Sequence, residues 1–183
     1  MYLKNIIKGK AVSLKSVDLD DAEFIVKIRN DNSKNMYLHA VPNDIKLQEK
    51  WIENQKNRLG DYYFVIYDNN LKKCGLASIY DINETDHMAE FGRWISWGNS
   101  VQNIESVILA FDFAFNNFNI NTIYMRTMYD NKAVRSFWKR FGAESLGKVY
   151  EMDLWIEKTI VTREHYYNEL RDKNLQLVDF FIG

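Results

Sequence analysis

Residues 131–143, NKAVRSFWKRFGA, hold the densest set of side chains that could do chemistry. Lys132, Arg135, Lys139 and Arg140 fall on one side of a helix, while Val134, Phe137, Trp138 and Phe141 recur at three- and four-residue spacing on the other. Such a row of cations can draw in an anion such as a phosphate group; the alternative is a solvated basic face. Metal and thiolate chemistry are not expected. His39, His87 and His165 stand alone without metal-ligand spacing. Cys74, the only cysteine, can form neither an intrachain disulfide nor a metal–thiolate cluster, and reads as a small strand residue.

The elements that must position this helix can be read on either side of it. Asp130 or Asn131 can cap its start, and Gly142 falls where a helix ends on a left-handed residue. Upstream, Ile104, Val107, Ile108, Phe111, Ala114, Phe115 and Phe118 share one helical face. Residues 121–128 (NTIYMRTM) then alternate as a strand. A strand, a crossover helix and a strand predict a right-handed βαβ unit with parallel strands. Before it, residues 62–67 (YYFVIY), 74–80 (CGLASIY) and 88–97 (MAEFGRWISW), separated by polar turns, predict an antiparallel meander.

Towards the N-terminus, residues 11–15 (AVSLK) read as a short strand. Asp18, Asp20 and Asp21 open a helix that Lys27 and Arg29 close, in keeping with its dipole. Leu47, Trp51 and Ile52 mark a second helix over 46–57, after a long irregular connection at 30–45. Beyond the basic helix, residues 144–150 and 158–167 read as strands. The order β α α β β β α β α β β predicts a mixed α/β fold. At 183 residues, with one proline and no linker-like tract, the expectation is one domain over 1–183.

A formal net charge of -1 gives no global field for nucleic acid or an anionic membrane, so neither is an expected partner. No stretch approaches the roughly 20 apolar residues of a membrane span, and the expected compartment is the cytoplasm.

The element order, together with IRND at 28–31, Trp51, the pair YYFVIY and CGLASIYDI, AEFG at 89–92, DFAF at 112–115 and residues 131–143, resembles the GNAT superfamily of acetyl-coenzyme A-dependent N-acetyltransferases. The resemblance runs over about residues 10–167. It is nearest the branch of ribosomal-protein alanine and amino-sugar nucleotide acetyltransferases, with IRND and the helix start before Trp51 leaning to the amino-sugar side. It implies a central, mostly antiparallel sheet with one parallel βαβ splay and helices on both faces. The co-substrate would be acetyl-CoA, with no metal.

The resemblance also implies roles for particular residues. Backbone groups of Trp94, Ile95 and Ser96 would hold the pantetheine arm in the gap between 88–97 and 122–128. The pyrophosphate would rest on the helix start at Val101, Gln102, Asn103 and Ile104, where free N–H groups and the dipole favour anions. Relatives carry small residues where Val101 and Asn103 stand here; Gln102 and Asn103 can offer side-chain donors instead, and Glu105 matches a glutamate common one turn in. Asn131 would touch the pantetheine as well as cap its helix, with Phe137 and Trp138 beside it. Trp138 occupies the position of the family's acidic tyrosine, and an indole cannot supply that proton. Glu90 would act as general base, directly or through water; its alternative is a structural carboxylate paired with a neighbour such as Arg93. Arg29, Asn30, Tyr37, His39 and Trp51 would build the acceptor pocket, the polar pair otherwise capping a helix end and Trp51 otherwise joining the core.

By resemblance the reaction is acetyl transfer from acetyl-CoA to a primary amine, with an amino-sugar nucleotide or similar small molecule as acceptor. The alternatives are a protein N-terminal acetyltransferase of the ribosomal-protein type, and a CoA-binding module without turnover. The apolar ending at 177–183, LVDFFIG, has two readings: packing on its own sheet, or against a second subunit in a homodimer.

Overall fold

The computed structural model describes residues 1–31, 33, 35–38, 40–151 and 153–182. Eight strands form one sheet in the order β1-β2-β3-β4-β5-β6-β8-β7. They are β1 (Ile7–Lys8), β2 (Val12–Ser16), β3 (Tyr62–Asp68), β4 (Lys73–Asn83), β5 (Met88–Ser96), β6 (Thr122–Met128), β7 (Glu144–Glu151) and β8 (Leu154–Thr162). Every neighbouring pair is antiparallel except β5 and β6. A polar turn joins β3 to β4, where Asp68 Oδ1 accepts from the Asn70 and Lys72 N–H groups, and this pins the meander's register.

Helices cover both faces because the strands are apolar on both. On one face, α1 (Ala22–Arg29) and α2 (Ile45–Lys56) pack Ile25, Ile28 and Ile52 against Tyr63, Val65 and Leu76. On the other, α3 (Ser100–Asn117) and α4 (Lys132–Phe141) bury Phe111, Phe115, Trp138 and Phe141 against Phe64, Phe91 and Met125. Both helices begin on capping asparagines, Asn99 and Asn131. Glu105 fixes α3 to the turn before β2: its buried carboxylate accepts from the N–H groups of Lys10, Ala11 and Val12 at 2.7, 2.6 and 2.8 Å. A Cβ on Gly9 would stand 2.5 Å from that carboxyl carbon, which is why the turn carries glycine there.

The C-terminal part differs from the sequence expectation. The last strand ends at Thr162 instead of running to 167. Thr162 Oγ1 accepts from the His165 N–H and starts a helical run: α5 (Arg163–His165), a π-helical stretch Tyr166–Leu170 and α6 (Arg171–Ile182). Residues 163–167 look strand-like because Tyr166 is apolar, but it is fully buried and its hydroxyl donates to the Ile108 carbonyl and the Asp112 carboxylate of α3. Arg171 binds the same Asp112, so α3 and the helical run share one half-buried carboxylate. The apolar ending is therefore helical, with Val178 buried and Phe180 and Phe181 exposed.

Candidate functional site

β5 and β6 begin as a parallel pair and then part. Their register runs from Met88 opposite Thr122 to Glu90 opposite Tyr124 and stops there. Beyond Glu90 lies a groove of about 630 Å³, lined by 91–96 of β5, 125–128 of β6, the start of α3, and residues of α4 and α6. Ser33, Met36, Tyr37 and Leu38, which follow α1, line it from the other face of the sheet. The groove thus passes through the sheet, with α4 on one side and the connection after α1 on the other.

The α4 wall is aromatic. Trp138 is 2% exposed, stacks on Phe111 with an interplanar angle of 7°, and meets Phe91 edge-on at 5.6 Å. Phe137 is half-buried and packs on Trp94 at 4.7 Å. Asn131 accepts the Val134 N–H at 3.2 Å and also borders the groove. From α6, Asn174 donates to the Phe141 and Leu170 carbonyls at 3.0 and 2.8 Å, so a helix the sequence reading lacks fixes the end of α4. Among the described residues, two polar atoms bordering the groove are buried without a hydrogen-bond partner: the Trp94 indole N–H and the Asn103 side-chain oxygen.

The start of α3 satisfies much of itself. The Asn99 side chain accepts from the Gln102 N–H at 3.0 Å, and the Gln102 side chain accepts from the Asn99 N–H at 2.9 Å. Ser96 Oγ accepts the Gly98 N–H, and Asn103 donates to the Gly98 carbonyl. These bonds close the loop in place of the small residues expected at 101 and 103. Ser100, Asn103 and Ile104 face the groove, whereas Val101 and Gln102 turn to a separate shallow hollow beside Phe181 and Ile182.

On the opposite sheet face a charged network lies at the point where the strands part. Arg126 donates to both oxygens of Glu90, at 3.0 and 2.6 Å, and Glu90 is 2% exposed. Arg93 makes the same kind of fork with Asp61 and lies 4.3 Å over the Tyr80 ring. Burial, then the adjacent Glu90 charge, pushes the Tyr124 phenol up to about 12 and that of Tyr80 further. Two bonds tie the connection after α1 to the groove's rims: Trp97 Nε1 donates to Asp31, and the Tyr37 hydroxyl donates to the Asp130 carbonyl. The charged residues in the lining are Arg93, Arg126 and Arg140, with no carboxylate among the described lining residues.

Of the residues singled out from sequence, the groove brings together Trp94, Ile95, Ser96, Asn103, Ile104, Asn131, Phe137, Trp138 and Tyr37. Trp51 stands off it, packed edge-on against Tyr63 at 5.6 Å. Arg29 sits by the buried Tyr63 hydroxyl, and Asn30 accepts from the Val41 N–H, so both lie behind the lining. His39 lies outside the described residues. Glu90 pairs with Arg126 and not with Arg93, because Asp61 holds Arg93. With both oxygens inside a guanidinium fork, the geometry favours the ion-pair role over that of a free base. Arg126 was missed, although a lone cation within the alternating NTIYMRTM strand was visible.

Comparison with known proteins adds a family-level match. The family described as acetyltransferase (GNAT) domain matches residues 12–144. No curated protein matches significantly. Among solved structures, apo FdhC, described as a nucleotide-linked sugar GNAT, is similar with 28% identity and a TM-score of 0.78, covering 99% of this chain and 100% of that one. A GCN5-related N-acetyltransferase from Brucella melitensis shares 16% identity at a TM-score of 0.80, over 96% of this chain and 86% of that one. A mutant form of the spermidine N-acetyltransferase SpeG from Vibrio cholerae shares 18% identity at a TM-score of 0.74, over 87% of this chain and 98% of that one.

Proposed function

Because the chain belongs to the acetyltransferase (GNAT) family, we propose that it moves acetyl from acetyl-CoA to the primary amine of an anionic small molecule, an amino-sugar nucleotide. The observation that carries the acceptor class is the charge of the groove: three arginines line it and no described carboxylate does. A polyamine would meet only like charge there, whereas a diphosphate would meet opposite charge. Glu90 and Asp61 hold Arg126 and Arg93 in place along the groove. The likeness to FdhC, whose description names a nucleotide-linked sugar, supports the same class.

Acetyl-CoA fits the α4 side. Its pantetheine arm offers amide donors and acceptors, and the buried Trp94 N–H and Asn103 oxygen are an unpaired donor and acceptor on that wall. The N–H groups of Ser100 and Val101 at the start of α3 have no bond among the described residues and can take a phosphate. Arg140 adds a cation at the outer end of α4.

The chemistry asks little of side chains beyond position. The acceptor nitrogen bonds to the thioester carbonyl carbon, the C–S bond breaks, one proton leaves nitrogen and one reaches sulfur. Backbone groups of β5 past Glu90 would hold the carbonyl, since β6 no longer pairs with them. Trp138, buried among rings, contributes shape and no proton. Glu90 would hold Arg126 towards the acceptor, and the amine proton would leave to water. A cytoplasmic setting belongs to this reading, with Cys74 a free, buried thiol.

The test is acetyl-CoA binding by calorimetry, followed by mass detection of product across an amine panel. The panel holds nucleoside-diphosphate amino sugars, spermidine and peptides with free N-termini. Acetylated sugar nucleotides are expected. No acetyl-CoA binding would overturn the whole reading, and acetylated spermidine or peptide without acetylated sugar nucleotide would overturn the acceptor class.

A further inference from the structure

Strand β5 bends at one residue. Opposite it, Leu76 of β4 pairs with Ile95 and Ser78 with Gly92, so Arg93 and Trp94 together stand across from Ala77. This is a β-bulge, and Arg93 carries a φ of 50°, a left-handed conformation that opposes a bulky L side chain. The bulge resets the alternation of the strand. Phe91 and Trp94, three residues apart, both meet Trp138, at 5.6 and 5.8 Å. Pairing with β6 ends at Glu90, just before the bulge, so this is where the groove opens.

The side chain of Arg93 accounts for how the bulge is held. Its two terminal nitrogens donate to the two oxygens of Asp61 at 2.7 and 3.0 Å. Asp61 is 5% exposed and also accepts from Gln55 Nε2 of α2 at 3.0 Å. The guanidinium stacks over Tyr80 at 4.3 Å, with the Trp51 and Tyr63 rings at 5.6 and 5.9 Å. A planar fork held by a buried carboxylate and three rings over-determines the backbone that carries it.

We propose that Arg93 is the positioning residue of the groove: its pair with Asp61 holds the β5 bulge and thereby aims the backbone of residues 92–96 into the gap. The consequence for binding rests on the reading of that gap as the acetyl-CoA site; the consequence for the strand does not. Two variants separate the backbone from the lock. Arg93→Gly keeps a residue at ease at positive φ and removes the lock, whereas Arg93→Ala removes the lock and keeps the backbone conflict. Asp61→Asn breaks the charge pair from the other side.

The first experiment is amide hydrogen exchange of residues 92–96 in the ligand-free protein, alongside thermal melting. Faster exchange in Arg93→Gly and Asp61→Asn is expected, with Arg93→Gly melting above Arg93→Ala. Unchanged protection of 92–96 in both lock variants would overturn the proposal, whatever the groove binds. The second is calorimetry with acetyl-CoA, where each lock variant should lose about tenfold in affinity, and Arg93→Gly with Asp61→Asn no more than either alone. Binding equal to the wild type in either single variant would overturn the coupling to the groove. A wild type that binds no acetyl-CoA would instead remove the reading of the groove and leave the exchange result to decide the lock.

Discussion

Arg126 holds Glu90 fork to fork, with Nε to one carboxylate oxygen at 3.0 Å and a terminal nitrogen to the other at 2.6 Å. Glu90 is the last residue of β5 paired with β6, opposite Tyr124, and Arg126 lies two residues further along β6. Each therefore keeps the other in place where the groove begins.

That relationship separates two roles for Glu90. If it anchors Arg126, Glu90→Gln should raise the KM for an anionic acceptor by about tenfold, a cost of ~1.4 kcal/mol, and leave the pH–rate profile unchanged in shape. Arg126→Gln should do the same, with no further loss in the double variant. A Glu90→Gln profile that loses its acidic limb, with KM unchanged, would restore Glu90 as the base. Steady-state kinetics over pH 6–9.5 on both variants would decide, and the expected outcome is the KM effect.

Trp138 separates packing from proton delivery. It is fully enclosed by Phe91, Phe111, Phe137 and Phe141, so Trp138→Ala should cost about 3–5 kcal/mol of stability by leaving a cavity. Trp138→Phe keeps an aromatic ring and discards the indole N–H. Its kcat should stay within about threefold of the wild type, because water can protonate a thiolate whose conjugate acid has a pKa near ~8.5. A kcat collapse in Trp138→Phe with a native melting curve would show that the N–H takes part.

Gly142 ends α4 at a φ of 103°, and a Cβ there would stand 2.4 Å from Cδ2 of the buried Leu170. Gly142→Ala thus meets a backbone conflict and a steric one together. The expected cost is about 1–3 kcal/mol, which for a chain of this size lowers Tm by roughly 2–4 °C per kcal/mol. Because Asn174 is bonded to the Phe141 carbonyl next door, acetyl-CoA affinity should fall along with stability. Calorimetric melting with and without acetyl-CoA tests both, and an unshifted melt would count against this account of the helix end.

What the sequence made legible follows from where information is local. The cap at Asn131, the Gly142 stop and the apolar face of α3 are encoded within a turn or two, and these elements fall within a few residues of expectation. The parallel pair of β5 and β6 followed from a period change across α3. The helix at 171–182 was not legible, because its apolar residues (Leu175, Leu177, Val178, Phe180, Phe181 and Ile182) fall all round it and mark no stripe, and its anchors are polar: Arg171 to Asp112, and Asn174 to a carbonyl 33 residues away in sequence. Glu90 illustrates the same limit within the site. Its neighbour in sequence, Arg93, was an available partner, but the bulge and Asp61 take that arginine, and the true partner comes from the adjacent strand.

Cys74 gives a prediction on alkaline stability. Burial pushes its thiol up from 9.0 to about 11. Between those values the unfolded chain has lost this proton while the folded chain retains it, so folding binds a proton and stability falls as pH rises. The contribution is whole below pH 9 and is lost as pH climbs towards 11. Three phenols continue the trend, since Tyr63, Tyr67 and Tyr124 are all raised to about 12, chiefly by burial. Cys74→Ser removes the thiol from this balance and changes the side chain little in size. Urea unfolding at pH 8, 9, 10 and 11 should show the wild type losing stability faster than Cys74→Ser over that range, by up to about 1.4 kcal/mol for each pH unit. Parallel slopes for the two proteins would mean that the thiol titrates alike in both states. Native Cys74 should also resist alkylation at pH 8 relative to the urea-unfolded chain, because the reactive thiolate is withheld. Rapid labelling of the folded protein at that pH would contradict the burial that raises the thiol.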